Sequence, residues 1–209
     1  MELIDALFDH PNMQGEIVAW KKGSGIRIVT RSEMAYFERQ DDWYFHIATH
    51  HRQKIRAGGR GTKASAAQFT TLWCDMDMHW KDPKYATDQE LAAFLGSLTQ
   101  KGLPPSACVM TGGGYHVYLF LDKPYDCQEK ASSAKSWGKF LKQTMDEVTT
   151  REVPIDVIYD MARCLRIPGT VNNGRLVQEQ GVSVNTRYTL DTLLQFTDYH
   201  TVTERVDGK

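Results

Sequence analysis

The order of hydrophobic patterns between residues 70 and 158 constrains the fold of this chain more than any other feature. Two segments have helical spacing: the first begins at a capping box formed by Thr87 and Glu90, and the second covers residues 128–148. Strand patterns precede, separate and follow these helices, at residues 70–78, 107–111, 115–121 and 153–158. The order β-α-β-β-α-β is typical of a ferredoxin-like or RRM-like half, and it predicts an α/β chain with two layers (α+β).

This order also predicts which side chains meet on the sheet. The first and third strands of such a sheet are antiparallel neighbours, and the fourth flanks the first. Because side chains alternate along a strand, Asp75 and Asp77 share a face, and His116 on the third strand and Asp156 on the fourth point to it. We therefore expect these four side chains to converge on the open face.

A cluster of three carboxylates implies a cation. Carboxylates on one face repel one another, and bound metal is the simplest compensation. Their oxygens suit Mg²⁺ or Mn²⁺, and two such ions can stabilise both oxygens of a phosphoryl displacement. For Asp75 and Asp77 alone, two solvated aspartates at a strand end are the simpler interpretation. Adding Asp156 and His116 favours a two-metal site.

Basic residues are concentrated in two segments, although 25 Lys and Arg against 26 Asp and Glu give a net charge of −1. Residues 50–63 hold five basic and no acidic side chains, including Arg60 and Lys63, and residues 161–178 hold three and none. The spacing predicts Arg163 and Arg166 on one side of a helical turn, suited to phosphate. Solvated surface is the alternative for both segments, but the segregation favours a polyanionic partner.

Other patterns exclude several classes of protein. The four cysteines have no zinc-ligand or CxxC spacing, so neither a disulfide-rich scaffold nor a zinc module is indicated. The N-terminus lacks a signal-peptide pattern, and the longest uncharged stretch, residues 102–121, has prolines and three consecutive glycines that disfavour a membrane helix. We expect a cytoplasmic protein with no membrane partner.

Four segments in order resemble motifs of the archaeo-eukaryotic primase (AEP) superfamily, in particular the primase-polymerases of plasmids, phages and prophages. They are LWCDMDMH, TGGGYHVYLF, PIDVIYD and ARCLRIPGTVN, and the resemblance spans residues 44–173. It implies an AEP-like catalytic core that carries out metal-dependent, template-directed nucleotidyl transfer. The substrates would be dNTP or NTP, and the products primers made or extended on single-stranded DNA.

The resemblance also implies residue roles. Asp75, Asp77 and Asp156 would bind the catalytic Mg²⁺ or Mn²⁺, with Asp160 as the alternative third ligand. The expected nucleotide contacts are His116, Gly114, Arg163 and Arg166, and the expected nucleic-acid contacts are Arg60, Lys63 and Asn172. Gly114 departs from the family pattern, since serine is common at that position.

We expect one catalytic domain built from three parts. An N-terminal αβ unit (1–68) contains a hairpin at 16–30 and a strand at 43–49, an RRM-like catalytic half covers 69–175, and a tail (176–209) adds a hairpin and a helix from Thr189 to Phe196. Relatives often carry a helicase region further on. The chain therefore fits either a stand-alone module or a fragment that works with a helicase domain or partner.

Two other functions fit an RRM-like sheet. A single-stranded nucleic-acid-binding module without catalysis would stack bases on Tyr118 and Phe120. A rolling-circle replication or relaxase-type nuclease would need a second metal-binding histidine where Tyr118 stands, and a nucleophilic tyrosine on a helix.

Overall fold

The computed structural model describes residues 1–55, 61–156 and 160–197, and it confirms the predicted α+β class. The helices are α1 (Glu2–Phe8), α2 (Asp88–Gln100) and α3 (Ala131–Val148); residues 190–197 are also helical, and 3-10 turns cover Ser32–Phe37 and Arg52–Lys54. The strands are β1 (Ile17–Lys21), β2 (Gly25–Val29), β3 (Trp43–His46), β4 (Ala48–His50), β5 (Ala66–Asp77), β6 (Ala107–Met110), β7 (Gly114–Asp126), β8 (Cys164–Arg166), β9 (Val171–Asn172), β10 (Arg175–Leu176), β11 (Gln178–Val182) and β12 (Arg187–Tyr188).

A six-stranded sheet forms the centre of the molecule. Its strand order is β11-β6-β7-β5-β4, and β12 pairs in parallel with β7. β5 and β7 are antiparallel neighbours over most of their length, as the alternating pattern predicts. Their pairing includes Trp73 opposite Tyr118 and Asp75 opposite His116. This long, regular ladder fixes the residues at its end relative to one another.

The predicted capping box fixes the start of α2. The Thr87 hydroxyl oxygen accepts a hydrogen bond from the Glu90 backbone N–H at 3.2 Å, and the Glu90 carboxylate accepts one from the Thr87 N–H at 2.8 Å. Two N–H groups that the first helical turn leaves without partners are thereby satisfied. Leu91, Phe94 and Leu98 form the buried stripe of this helix.

A four-stranded sheet, of order β2-β1-β3-β8, joins distant parts of the chain. The predicted hairpin is present as β1 and β2, with Lys21 opposite Gly25. β3 pairs with β8 on its other side, Phe45 opposite Leu165. The predicted strand at 43–49 is divided between the two sheets, because β3 lies in this one and β4 pairs with β5 in the other.

The predicted strand at 153–158 is wrong where it is described. Residues 153–156 have no regular secondary structure, and residues 157–158 lie outside the described ranges. Pro154 has no N–H to donate to a strand ladder, which explains why the segment does not pair. Val153 and Ile155 are nevertheless buried, so the alternating pattern correctly predicts which side chains face inward.

The predicted helical turn at Arg163 and Arg166 is also wrong. Cys164, Leu165 and Arg166 form β8, and Arg163 directly precedes it. Pairing with β3 buries Leu165 and satisfies its backbone, and this distant partner outweighs the local i, i+3 spacing.

The C-terminal part of the described chain completes the six-stranded sheet. β11 pairs with β6 and β12 pairs with β7, so the predicted hairpin does not form within residues 176–197, the part of the tail that the structure describes. The predicted final helix corresponds to residues 190–197, where Leu190 and Leu193 join the core. Among the described residues, none of the helices has the length and apolar composition needed to cross a membrane.

Candidate active site

The ends of β5 and β7 hold the central pair of the candidate site. Asp75 on β5 lies opposite His116 on β7, and the two side chains approach to 3.6 Å between Oδ1 and Nε2. The carboxylates of Asp75 and Asp77 are 33% and 35% exposed, whereas His116 is buried. Half-exposed carboxylates above a buried imidazole leave acidic oxygens accessible to solvent and ligands.

Gly114 allows these strand ends to come together. A Cβ atom on this residue would lie 2.0 Å from the carbonyl oxygen of Met76 and 2.9 Å from Cα of Asp77. No side chain fits at such distances, so the strand pairing itself requires glycine. The serine common in the AEP family is therefore incompatible with this backbone arrangement, and the glycine is explained without a nucleotide.

Burial keeps His116 in its neutral form. Loss of solvation lowers the pKa of this imidazole, the nearby Asp75 carboxylate opposes the shift, and the cations of Arg166 and Arg163 reinforce it. Burial also raises the pKa of Tyr118 well above its ordinary value, so its phenol keeps its proton. The Tyr118 hydroxyl lies 3.4 Å from Nδ1 of His116 and can donate to it. The imidazole hydrogen then belongs on Nε2, the nitrogen that faces Asp75.

Arg163 joins two of the predicted metal ligands. Its guanidinium forms an ion pair with Asp156, and the same Nη2 lies 3.9 Å from Oδ2 of Asp75. The predicted repulsion between these carboxylates is therefore offset here by a cation of the chain itself. Asp160 has a local role instead: its Oδ1 accepts from the Ala162 N–H at 2.9 Å.

Arg166 lies at the neighbouring edge of the four-stranded sheet. Its Nη1 donates to Oδ1 of Asp42 at 2.6 Å, and its guanidinium stacks 4.1 Å from the centre of the Tyr44 ring. Its charge contributes to the lowered pKa of His116, which places it within electrostatic reach of the site. The structure thus brings Arg163 into contact with the acidic cluster and Arg166 within electrostatic reach of it, by a strand rather than a helix.

Lys81 is a site residue that the sequence interpretation missed. Its Nζ donates to Oδ1 of Asp77 at 2.6 Å. A Cβ on Gly113 would lie 3.7 Å from the Lys81 side chain, so this lysine extends past the glycine turn before β7. The spacing of four residues from Asp77 to Lys81 was the available signal, but it is also common at ordinary surface ion pairs.

The donor chemistry of the site fits a hard divalent cation. Asp75 and Asp77 offer carboxylate oxygens from one face of β5, and Asp156 offers another beside Asp75 through their shared arginine. Within the described ranges, no three His, Cys, Asp or Glu side chains are grouped closely enough to hold a metal ion. A cation binding here would compete with Arg163 and Lys81 for these oxygens.

The predicted nucleic-acid contacts lie in different environments. Lys63 is exposed three residues before β5, and Arg60 lies outside the described residues. Asn172 is buried, and its Nδ2 donates to the carbonyl oxygen of Thr111 at 2.6 Å. This amide holds β9 against the turn before β7; in the described structure, its Oδ1 is buried without a hydrogen-bond partner.

Burial argues against the two residues that were predicted to stack on bases in a binding module. Tyr118 and Phe120, the rings that would stack on bases, are both 0% exposed. Stacking requires an accessible ring face, so these two side chains belong to the core. Tyr118 also occupies the position where the nuclease alternative needs a second metal-binding histidine.

The comparison with solved structures agrees with the motif resemblance. The AEP domain of the cyanophage S-2L primase-polymerase superposes with a TM-score of 0.51 at 16% sequence identity, covering 87% of this chain and 88% of that one. The catalytic domain of primase RepB′ in complex with initiator DNA gives a TM-score of 0.49 at 11% identity, covering 93% and 90%. No protein-family model matches the chain, and no curated protein matches its sequence. The chain has the fold of a primase-polymerase AEP domain.

Proposed function

We propose that this protein is a metal-dependent DNA primase-polymerase that synthesises or extends primers on single-stranded DNA. One observation carries the proposal: Asp75, His116, Arg163 and Asp156 meet at the end of the β5–β7 ladder. Accessible carboxylates next to a neutral imidazole and a guanidinium suit a triphosphate that arrives with divalent cations. The AEP fold is consistent with this chemistry.

The carboxylates form the proposed metal-binding part of the site. Asp75, Asp77 and Asp156 would hold Mg²⁺ or Mn²⁺, with Asp156 favoured over Asp160 because its carboxylate shares Arg163 with Asp75. The ions, when bound, stabilise the attacking and leaving oxygens of the displacement.

The neutral and cationic groups would bind the nucleotide. The Nε2–H of His116 can donate to a phosphate oxygen without placing a buried positive charge, since the imidazole stays neutral. Arg163 presents a planar guanidinium that matches two phosphate oxygens. Arg166, paired with Asp42 on one side, would add positive potential rather than a direct contact. Gly114 keeps the two strands close enough for these groups to share one ligand.

The single-stranded template would follow the basic segments. Lys63 is exposed, and together with Arg60 it is a candidate for backbone phosphate contacts. Asn172 would act indirectly, by holding the turn before β7. Template strand, primer and dNTP or NTP are the proposed partners, and a helicase domain or partner remains part of this proposal.

Primer extension with Asp75→Asn tests the proposal. The substitution keeps the size of the side chain and removes its charge, so incorporation of nucleotides with Mg²⁺ or Mn²⁺ should fall by about a hundredfold or more. Asp146→Asn is the matched control, because Asp146 is also half-exposed and ion-paired but lies on α3 with Lys142. That variant should extend primers like the native chain.

Two results would contradict the proposal. If Asp75→Asn incorporated nucleotides as fast as the native protein, the Asp75 carboxylate would have no part in the reaction. Binding of single-stranded DNA without incorporation by native protein, with either metal and with dNTP or NTP, would favour a binding module. An assay on unprimed single-stranded DNA then separates primer synthesis from extension.

A further inference from the structure

A chain of polar side chains runs between β3, β4 and β8, and the proposed reaction does not use it. The Sγ of Cys164 lies 3.2 Å from Nε2 of His46, whose Nδ1 lies 2.9 Å from Nε2 of His50. Nδ1 of His50 in turn lies 2.9 Å from Oγ of Ser65. Both imidazoles are fully buried, while Cys164 is only partly buried.

The hydrogen bonds of this chain of side chains have one arrangement in which His46 can accept the thiol proton. The hydroxyl of Ser65 lies 2.9 Å from both the carbonyl oxygen of Thr62 and Nδ1 of His50, and when its hydrogen points to Thr62 it accepts from His50. In that arrangement His50 carries its hydrogen on Nδ1 and accepts on Nε2. His46 then donates from Nδ1 to His50, and its Nε2 lone pair faces the thiol of Cys164.

The surroundings exclude water from the two imidazoles and disfavour a charge on His50. Burial lowers the pKa of His50 to about 4, and the nearby His51 adds to the shift, so His50 stays neutral near pH 7. A Cβ on Gly61 would lie 2.7 Å from the His46 ring, so this glycine closes tightly over the pair.

We propose that Cys164 is an activated thiol and a covalent modification site, with His46 as its base and His50 and Ser65 as the residues that orient this base. A partly accessible nucleophile, a buried base within hydrogen-bond reach and an orienting third group are the elements of an activated cysteine. The reaction partner is a low-molecular-weight disulfide. The inference does not depend on the proposed polymerase function.

The reaction balances without further reagents. His46 takes the thiol proton on Nε2, and the Cys164 sulfur attacks one sulfur of the small disulfide. A mixed disulfide forms while the original S–S bond breaks, and the second sulfur leaves as a thiolate. That thiolate takes the proton from His46 and departs as a thiol.

Cys108 provides an internal control in the same molecule. It is also partly buried, but burial raises its pKa to about 11, so its thiol is unreactive near pH 7. Native protein is treated with oxidised glutathione at pH 7, and peptide mass spectrometry follows each cysteine over time. Cys164 should acquire the adduct about tenfold faster than Cys108 or more. The Cys164→Ser variant should lose that adduct.

Two variants separate activation from simple accessibility. His46→Gln should slow modification of Cys164 about tenfold and leave Cys108 unchanged, and Ser65→Ala, a milder change, should slow it less. Iodoacetamide, a smaller probe, should give the same order of rates. Equal rates at Cys164 and Cys108 with both probes in native protein would overturn the proposal. So would an unchanged Cys164 rate in folded Ser65→Ala and His46→Gln proteins.

Discussion

On one face of the six-stranded sheet, the type and the exposure of the side chains change sharply from one cross-strand pair to the next. On β5 and β7, Trp73 and Tyr118 face each other and are 1% and 0% exposed. Two residues further along β5, on the same face, Asp75 lies opposite His116 and its carboxylate is one-third exposed. The same ladder thus carries an aromatic, closed end and an acidic, open end.

The closed end is covered by parts of the chain that are distant in sequence. The guanidinium of Arg187 lies 5.5 Å from the centre of the Phe120 ring, and it donates to the carbonyl oxygens of Leu121 and Ala6 at 2.9 Å each. These contacts join β12, β7 and α1 over the aromatic end. Packing there fixes the strand register, so the open end can hold like charges that do not stabilise the fold themselves.

The largest difference in stability between the aromatic and acidic ends is expected between the variants Trp73→Ala and Asp75→Ala. Removal of the buried indole leaves a cavity and should lower the free energy of unfolding by about 3–5 kcal/mol. Removal of the half-exposed carboxylate should change it by less than about 1 kcal/mol. Urea denaturation of both variants measures the difference. A similar loss in the two variants would mean that the acidic end also holds the register.

Gly114→Ala should produce the next largest effect, because it forces the open end apart. The new Cβ would meet the Met76 carbonyl oxygen at 2.0 Å, and the strands must separate. We expect a loss of about 2–3 kcal/mol in unfolding free energy, with lost primer extension. Gly113→Ala is the control, since its Cβ would meet only side-chain atoms of Lys81 and Asn172, at 3.7 Å and 3.9 Å. Comparable stability of these two variants would contradict the close approach.

Local patterns were enough to predict the ladder and the residues along it. Alternation from residue 70 to 78 predicted β5, the tripeptide Gly112-Gly113-Gly114 marked the turn before β7, and the Thr87 capping box marked α2. From these the sequence predicted that Asp75 and His116 share a face, and the register pairs them. Periodicity is informative here because both strands are long and one face is buried.

Contacts between distant segments could not be predicted from the sequence. β8 pairs with β3 across more than a hundred residues, and the local spacing of Arg163 and Arg166 gives no sign of that partner. The same holds for charge: the sequence predicted a cluster of carboxylates whose repulsion bound metal would compensate most simply. In the structure, Arg163 lies between Asp75 and Asp156, and Lys81 pairs with Asp77. Long-range pairing brings Arg163 in, so the acidic segment alone could not reveal it, whereas Lys81 lies only four residues from Asp77.

A pH titration tests how the pKa of a buried histidine depends on whether a carboxylate lies beside it. His116 has Asp75 beside it, which opposes the effect of burial, whereas His50 contacts Ser65 and His46 and has a pKa of about 4. In the unfolded chain His50 has a pKa near 6.5, so above that pH it is neutral in both states and the folded state keeps its full stability. As the pH falls, the unfolded state takes up the proton first, and stability is lost until the pH passes below about 4.

The loss due to His50 should reach about 2 kcal/mol at pH 5. Unfolding free energies of native protein and His50→Gln, measured by urea denaturation at pH 7.5 and pH 5, isolate it, because the other titrating groups are common to both proteins. The native protein should lose about 2 kcal/mol more than the variant over this interval. Parallel losses would mean that His50 is charged or solvated in the folded state, and the neutral hydrogen-bonded chain from Ser65 to Cys164 would then have to be abandoned as well.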